Sequence, residues 1–185
     1  MRWDGLFADL EAQAAALSVA ERSAEVEDRT RSETGRLSIA ERLRPAIGSQ
    51  VRLRCLGGVA VAGHLRRAHP EWLLVEEPAG REALVACSAV VSVAGLGRFS
   101  AVPGSESAVQ ARLGLRYALR MVARDRSGLR MYLADASVLD GTLDRVGADF
   151  VEVAVHAAGE ARRRGEVREV IDVRLGALVA LRRDG

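Results

Sequence analysis

VRLRCLGGVAVAGHLRRAHPEWLLVEE, residues 51–77, returns 78 positions later as LRMYLADASVLDGTLDRVGADFVEVAV, residues 129–155. With Gly63 set over Gly141 the two stretches match without a gap, and apolar positions coincide at Val51/Leu129, Leu53/Met131, Cys55/Leu133, Val61/Leu139, Leu65/Leu143, Trp72/Phe150, Leu73/Val151 and Val75/Val153. An internal repeat of this kind sets the architecture before any single element is considered. Inside it, Val51, Leu53 and Cys55 alternate with Arg52 and Arg54, the period of a half-buried strand. Gly57-Gly58 is a hairpin turn, and the shared glycine stands mid-strand, where a sharp bend or bulge is expected. Trp72–Glu77, Ala83–Cys87 and Val90–Val93 read as three further strands.

Outward from this core the repeat continues. Val85–Val91 lies over Val173–Val179 at an offset of 88, so the second copy carries a connection ten residues longer, which includes Arg162, Arg163 and Arg164. A helical pattern precedes each copy: Leu37–Ile47, interrupted by Pro45, and Glu106–Arg124, with Val109, Leu113, Tyr117, Leu119 and Val122 as its apolar members. At the start, Trp3, Leu6, Phe7, Leu10, Ala14 and Leu17 recur at helical steps. The expectation is a mainly β protein with helices (α+β). It comprises an N-terminal helical arm (1–35) and two tandem five-stranded bent β-barrels, each with a leading helix (36–100 and 101–185).

Composition narrows the function. The net charge is +2, all 27 basic residues are Arg, and 28% of the chain is charged. Residues 1–48 hold seven Arg against nine acids and residues 49–185 hold twenty against sixteen, so there is no polybasic tail. No run is long and apolar enough to span a bilayer. The N-terminus lacks the basic-then-apolar order of a signal peptide, so a cytoplasmic chain with no membrane contact is expected. Cys55 and Cys87 align with Leu133 and Leu175, which suits small buried hydrophobes better than a metal or redox pair.

A helix, then strand–turn–strand with an internal glycine and a short paired ending, resembles the Sm-like (LSm/Hfq-type) family. LADASVLDGTLDRVGADFVEV is the closer match, around Gly141 and Leu143. The resemblance implies small bent five-stranded barrels that assemble edge to edge and associate with RNA. The family's base-pocket positions carry His69 or Gly147, Glu71 or Asp149, and Leu73 or Val151 here, and the second motif carries Cys87-Ser88 and Leu175-Gly176. Both copies therefore lack the stacking residue and the asparagine of the uridine pocket.

No catalytic constellation emerges. His64, His69 and His156 fit neither triad nor metal spacing, and no phosphate-cradling glycine motif opens a helix. The expectation is a non-catalytic protein without cofactor or metal. RNA association would run through Arg52, Arg54, Arg66, Arg67, His69 and the Arg162, Arg163, Arg164 loop, since Arg pairs with phosphate and stacks on bases. The alternative is a protein-interaction scaffold or oligomerisation module with no nucleic acid. It would use unpaired strand edges and a Trp3, Leu6, Phe7, Leu10 stripe for self-association or docking into a larger complex.

Overall fold

β1 (Gln50–Cys55) buries Val51, Leu53 and Cys55 and exposes the residues between them, as a two-residue period requires. β2 (Ala60–Ala68) follows a turn in which Gly57 and Gly58 both take positive φ, and pairs antiparallel with β1, Gly63 opposite Val51. β3 (Trp72–Glu76) and β4 (Glu82–Ala86) extend the sheet antiparallel, and β5 (Val90–Ala94) returns to the far side of β1. The second copy repeats the plan: β6 (Leu129–Leu133), β7 (Val138–Val146), β8 (Phe150–Val155), β9 (Glu169–Arg174) and β10 (Leu178–Arg183). The protein's structure, a computed structural model, describes residues 34–102, 112–156 and 169–183, with positions 13, 17, 18, 25, 31 and 32 before them.

The repeat holds down to individual hydrogen bonds. His69 N–H donates to the Trp72 carbonyl and Gly147 N–H to the Phe150 carbonyl, each at 2.9 Å. Cys87 N–H donates to Glu71 at 2.9 Å and Leu175 N–H to Asp149 at 2.8 Å. Bulges fall at equivalent places, between Leu65 and Arg67 and between Leu143 and Arg145. Beside each bulge the shared glycine admits a close backbone crossing. A Cβ on Gly63 would stand 2.9 Å from the Glu77 Cα and closer still to the Glu76 carbonyl; one on Gly141 would stand 3.0 Å from the Ala154 carbonyl carbon.

Two separate five-stranded barrels with leading helices are not what forms. All ten strands join one open antiparallel sheet, in the order β5-β1-β2-β3-β4-β10-β6-β7-β8-β9. The physical reason lies in the fourth-to-fifth connection. Cys87–Ala89 and Leu175–Ala177 are single 3-10 turns that carry β5 to β1 and β10 to β6 rather than back along β4 or β9. Neither copy closes on itself, and β4 pairs across the repeat with β10.

The helices are shorter than expected. α1 spans only Ile39–Leu43 before Pro45 tightens the chain into a 3-10 turn. α2 spans Leu115–Asp125, with Gly114 outside its first turn and Arg126 ending it in the left-handed region. The chain divides into two units, Met1–Ser38 and Ile39–Gly185, and both repeats belong to the second. In the first, a helical turn ends at Gly35, whose N–H donates to Arg31. Trp3, Leu6, Phe7 and Leu10 lie outside the described residues. In the second unit Leu53, Leu65, Leu73 and Val75 share one core with Met131, Val151, Val153 and Leu181. Among the described residues no helix is long and apolar enough to cross a membrane.

Candidate functional site

The joint between the copies shows what the sheet's edges can do. Ala180, Leu181 and Arg182 of β10 pair with Val85, Leu84 and Ala83 of β4, and Val179, Ala180 and Leu181 are almost wholly buried. Arg182 holds this joint from within. Its guanidinium donates to both Glu77 carboxylate oxygens, at 2.8 and 2.9 Å, and to the Ala60 carbonyl at 2.7 Å. It also lies 4.8 Å above the Tyr132 ring. α2 is anchored to the first copy as well: Leu115 N–H donates to the Glu71 carboxylate at 2.7 Å, a cap for the helix N-terminus. Trp72 Nε1 donates to Leu113 at 2.7 Å.

The sheet ends at β5 and β9. β5 is the repeat counterpart of β10, and β9 of β4. Val91 is 65% exposed, whereas its counterpart Val179 is fully buried in the joint; Val170 on β9 is 54% exposed. The outer edges thus present the same kind of apolar strand without its neighbour. Each is a row of backbone donors and acceptors open to another strand.

The described residues among those expected to bind RNA do not line one cleft. Arg52 and Arg54 project from the exposed face of β1, and Arg54 lines a cleft beside the β5 edge with Val91 and Ser92. Arg66, Arg67 and His69 do meet, around a cleft of about 480 Å³ that Trp72 and Leu113 also line. Within it Arg66 pairs with Glu76 at 3.0 Å. His69 is only 6% exposed, its ring lies 5.8 Å from that of Trp72 with planes 16° apart, and its Nδ1 accepts the Glu71 N–H at 3.1 Å. Its face is therefore taken by the protein's own tryptophan. Arg162, Arg163 and Arg164 lie outside the described residues. No family model matches the chain, and no curated protein does.

A further concentration of positive charge lies on α2. On α2, Arg116, Arg120 and Arg124 are exposed and recur every four residues, and none of their guanidinium groups has a hydrogen bond or ion pair among the described residues. Like charges at that spacing disfavour a helix by about 0.2–0.5 kcal/mol per pair. The helix's one acid, Asp125, is held by Arg183. The signal lies in the sequence itself, as three arginines four residues apart. Among the described residues no three His, Cys, Asp or Glu side chains come together as a metal site.

Both described cysteines are free thiols. Burial pushes the half-buried Cys87 thiol up to about 12, with Cys55 and Glu71 adding to the rise. Its Sγ donates to the His69 carbonyl at 3.3 Å. Burial also raises Cys55, against the opposing charge of Arg182. Folded values above the ordinary 9.0 mean the thiols favour the native state below that pH, and this contribution is lost as pH climbs towards 12. At pH 8 the Cys87 thiolate population falls about a thousandfold on folding. Iodoacetamide should therefore modify Cys87 readily only in denaturant. The melting temperature should drop above pH 9, and less steeply in Cys87→Ala; native alkylation at the denatured rate would contradict this.

Proposed function

We propose that this chain is a non-catalytic, self-assembling interaction module whose β5 and β9 edges pair between copies. The observation that carries the reading is Val91, 65% exposed at the edge, against its repeat counterpart Val179, buried at the joint inside the chain. Transferring the internal register by the repeat offset sets Ser92 opposite Val173, Val93 opposite Asp172 and Ala94 opposite Ile171 of the next copy. The contact is head to tail, so it closes a ring or propagates according to the rotation per copy. The likeness of the sequence to Sm-like proteins, which assemble edge to edge, supports the same reading. A cytoplasmic location belongs to it too, supported by the free thiols.

RNA association through Arg66, Arg67 and His69 has less support, because His69 is stacked on Trp72 and Arg66 is paired. Arg182 and Glu77, which hold the internal joint, correspond to Ala94 on β5 and Val155 on β8. The contact between copies therefore lacks the ion pair and should be the weaker of the two. The test is the mass of the full chain by light scattering across a dilution series. The wild type should be an oligomer that dissociates on dilution. Val91→Lys, a charge on the edge, should shift the mass to the monomer with an unchanged melting curve. A wild-type monomer at all concentrations, or a Val91→Lys chain of wild-type mass, would refute the proposal.

A further inference from the structure

The outward face of α2 carries a second inference, independent of whether the edges pair. Successive helix positions lie about 100° apart around the axis. Arg116, Tyr117, Arg120, Met121 and Arg124 therefore share an arc of about 140°, and the helix's remaining residues fall outside it. Leu115, Ala118 and Leu119 are buried on the opposite side. Tyr117 and Met121 are 46% and 47% exposed, so apolar surface stands level with the guanidinium groups. The helix's one acid, Asp125, lies beyond the arc and is held by Arg183.

The relief of the neighbouring surface decides what can dock there. Arg126 and Arg145 extend the basic surface beside Arg120 and Arg124, along a cleft that Asp144 and Glu152 also line. The Arg145 side chain is 78% exposed, whereas Glu152, which it holds at 3.0 Å, is 18% exposed, and Asp144 is half-buried. The cations protrude and the carboxylates are recessed. A chain threading the cleft would meet the carboxylates; a flat anionic surface meets the guanidinium groups first. We propose that this face of α2 docks on an anionic phospholipid bilayer, with its guanidinium groups among the headgroup phosphates and Tyr117 and Met121 at the acyl boundary. Guanidinium forks match phosphate oxygens in pairs, and tyrosine rings settle at headgroup level. The sequence-based expectation of no membrane contact rests on the lack of a spanning run and of a signal peptide's order, and neither bears on contact with a surface. The cytoplasmic leaflet supplies the negative charge.

The test is sedimentation of the full chain, nuclease-treated, with vesicles of phosphatidylcholine alone or of three parts phosphatidylcholine to one part phosphatidylserine. At low salt the chain should pellet only with the phosphatidylserine vesicles, and less as salt screens their surface. Each Arg near such a surface changes partition about fivefold, so Arg120→Gln with Arg124→Gln should weaken it about 30-fold. Both positions are exposed and the change removes like charges, so the melting temperature should hold or rise slightly. Arg120→Lys with Arg124→Lys should retain most of the binding, because the surface potential acts on charge. Met121→Gln should weaken binding severalfold with every charge in place, since an apolar anchor is lost. No pelleting with phosphatidylserine vesicles at low salt would overturn the proposal, as would a double Gln variant or a Met121→Gln chain that partitions like the wild type. So would binding of a mixed-sequence RNA or an acidic peptide that depends on these arginines while vesicle binding does not.

Discussion

Valine at Gly63 or Gly141 should cost about 3 kcal/mol or more, the upper end of what overpacking does, and lower the melting temperature by roughly 6–12 °C for a chain of this length. The obstruction is backbone, not a side chain that could turn away. At Gly63 the new Cβ meets the Glu76 carbonyl and the Glu77 Cα, and at Gly141 it meets the Ala154 carbonyl. Relief would require β2 to part from β3, or β7 from β8, beside the bulges that bend them. Alanine carries the same first atom and should be nearly as harmful, which separates this cause from β-branching. Gly176→Ala is the control: nothing lies within 4 Å of its added Cβ, so its effect should stay within about 0.5 kcal/mol. Thermal melts followed by circular dichroism decide it. A Gly63→Ala melt matching that of Gly176→Ala would remove the argument.

Arg182→Ala should be almost as severe, about 3 kcal/mol. The Arg182 and Glu77 side chains are only 20% and 9% exposed, and truncation strands the Glu77 carboxylate in the joint between the copies. Hydrogen bonding to Glu77 raises the Arg182 guanidinium further above its already high value, ahead of the opposing effect of burial. Arg182→Lys should recover only part of the loss, because an ammonium cannot reach both Glu77 oxygens and the Ala60 carbonyl in one plane. Glu77→Gln combined with Arg182→Met should destabilise less than Arg182→Ala alone, since no buried charge is left unpaired. For comparison, Arg66→Ala breaks a pair whose side chains are 57% and 40% exposed and should cost under about 1 kcal/mol. Urea unfolding that puts Arg182→Ala level with Arg66→Ala would show that the joint is held by strand pairing alone.

Much of the local structure was legible. β3, β4 and β5 begin and end within one residue of their expected limits, because the alternation of burial along a strand is written in neighbouring residues. The bend at Gly63 and Gly141 was legible for the same reason: a glycine recurring mid-strand in both copies marks a close approach. Helix limits were less so. Pro45 did shorten α1, but the start of α2 depends on the Glu71 carboxylate, 44 residues earlier in the chain. His69 looked like a candidate for base contact from its place beside two arginines. Its burial against Trp72 arises from the turn that folds one onto the other.

What the sequence determined alone was the duplication, the strands and their inward faces, because periodicity and turn chemistry act over a few residues. What only the tertiary structure decided was which strand ends meet. Nothing in residues 82–86 or 178–183 says that β4 will take β10 as its neighbour. That follows from short 3-10 turns that send each fifth strand to its own first strand and leave one side of each fourth strand without a neighbour from its own copy. The same cause leaves β5 and β9 open at the two ends. The arginine row on α2 belongs to both levels: its spacing is in the sequence, and its lack of acidic partners among the described residues appears only when the chain is folded.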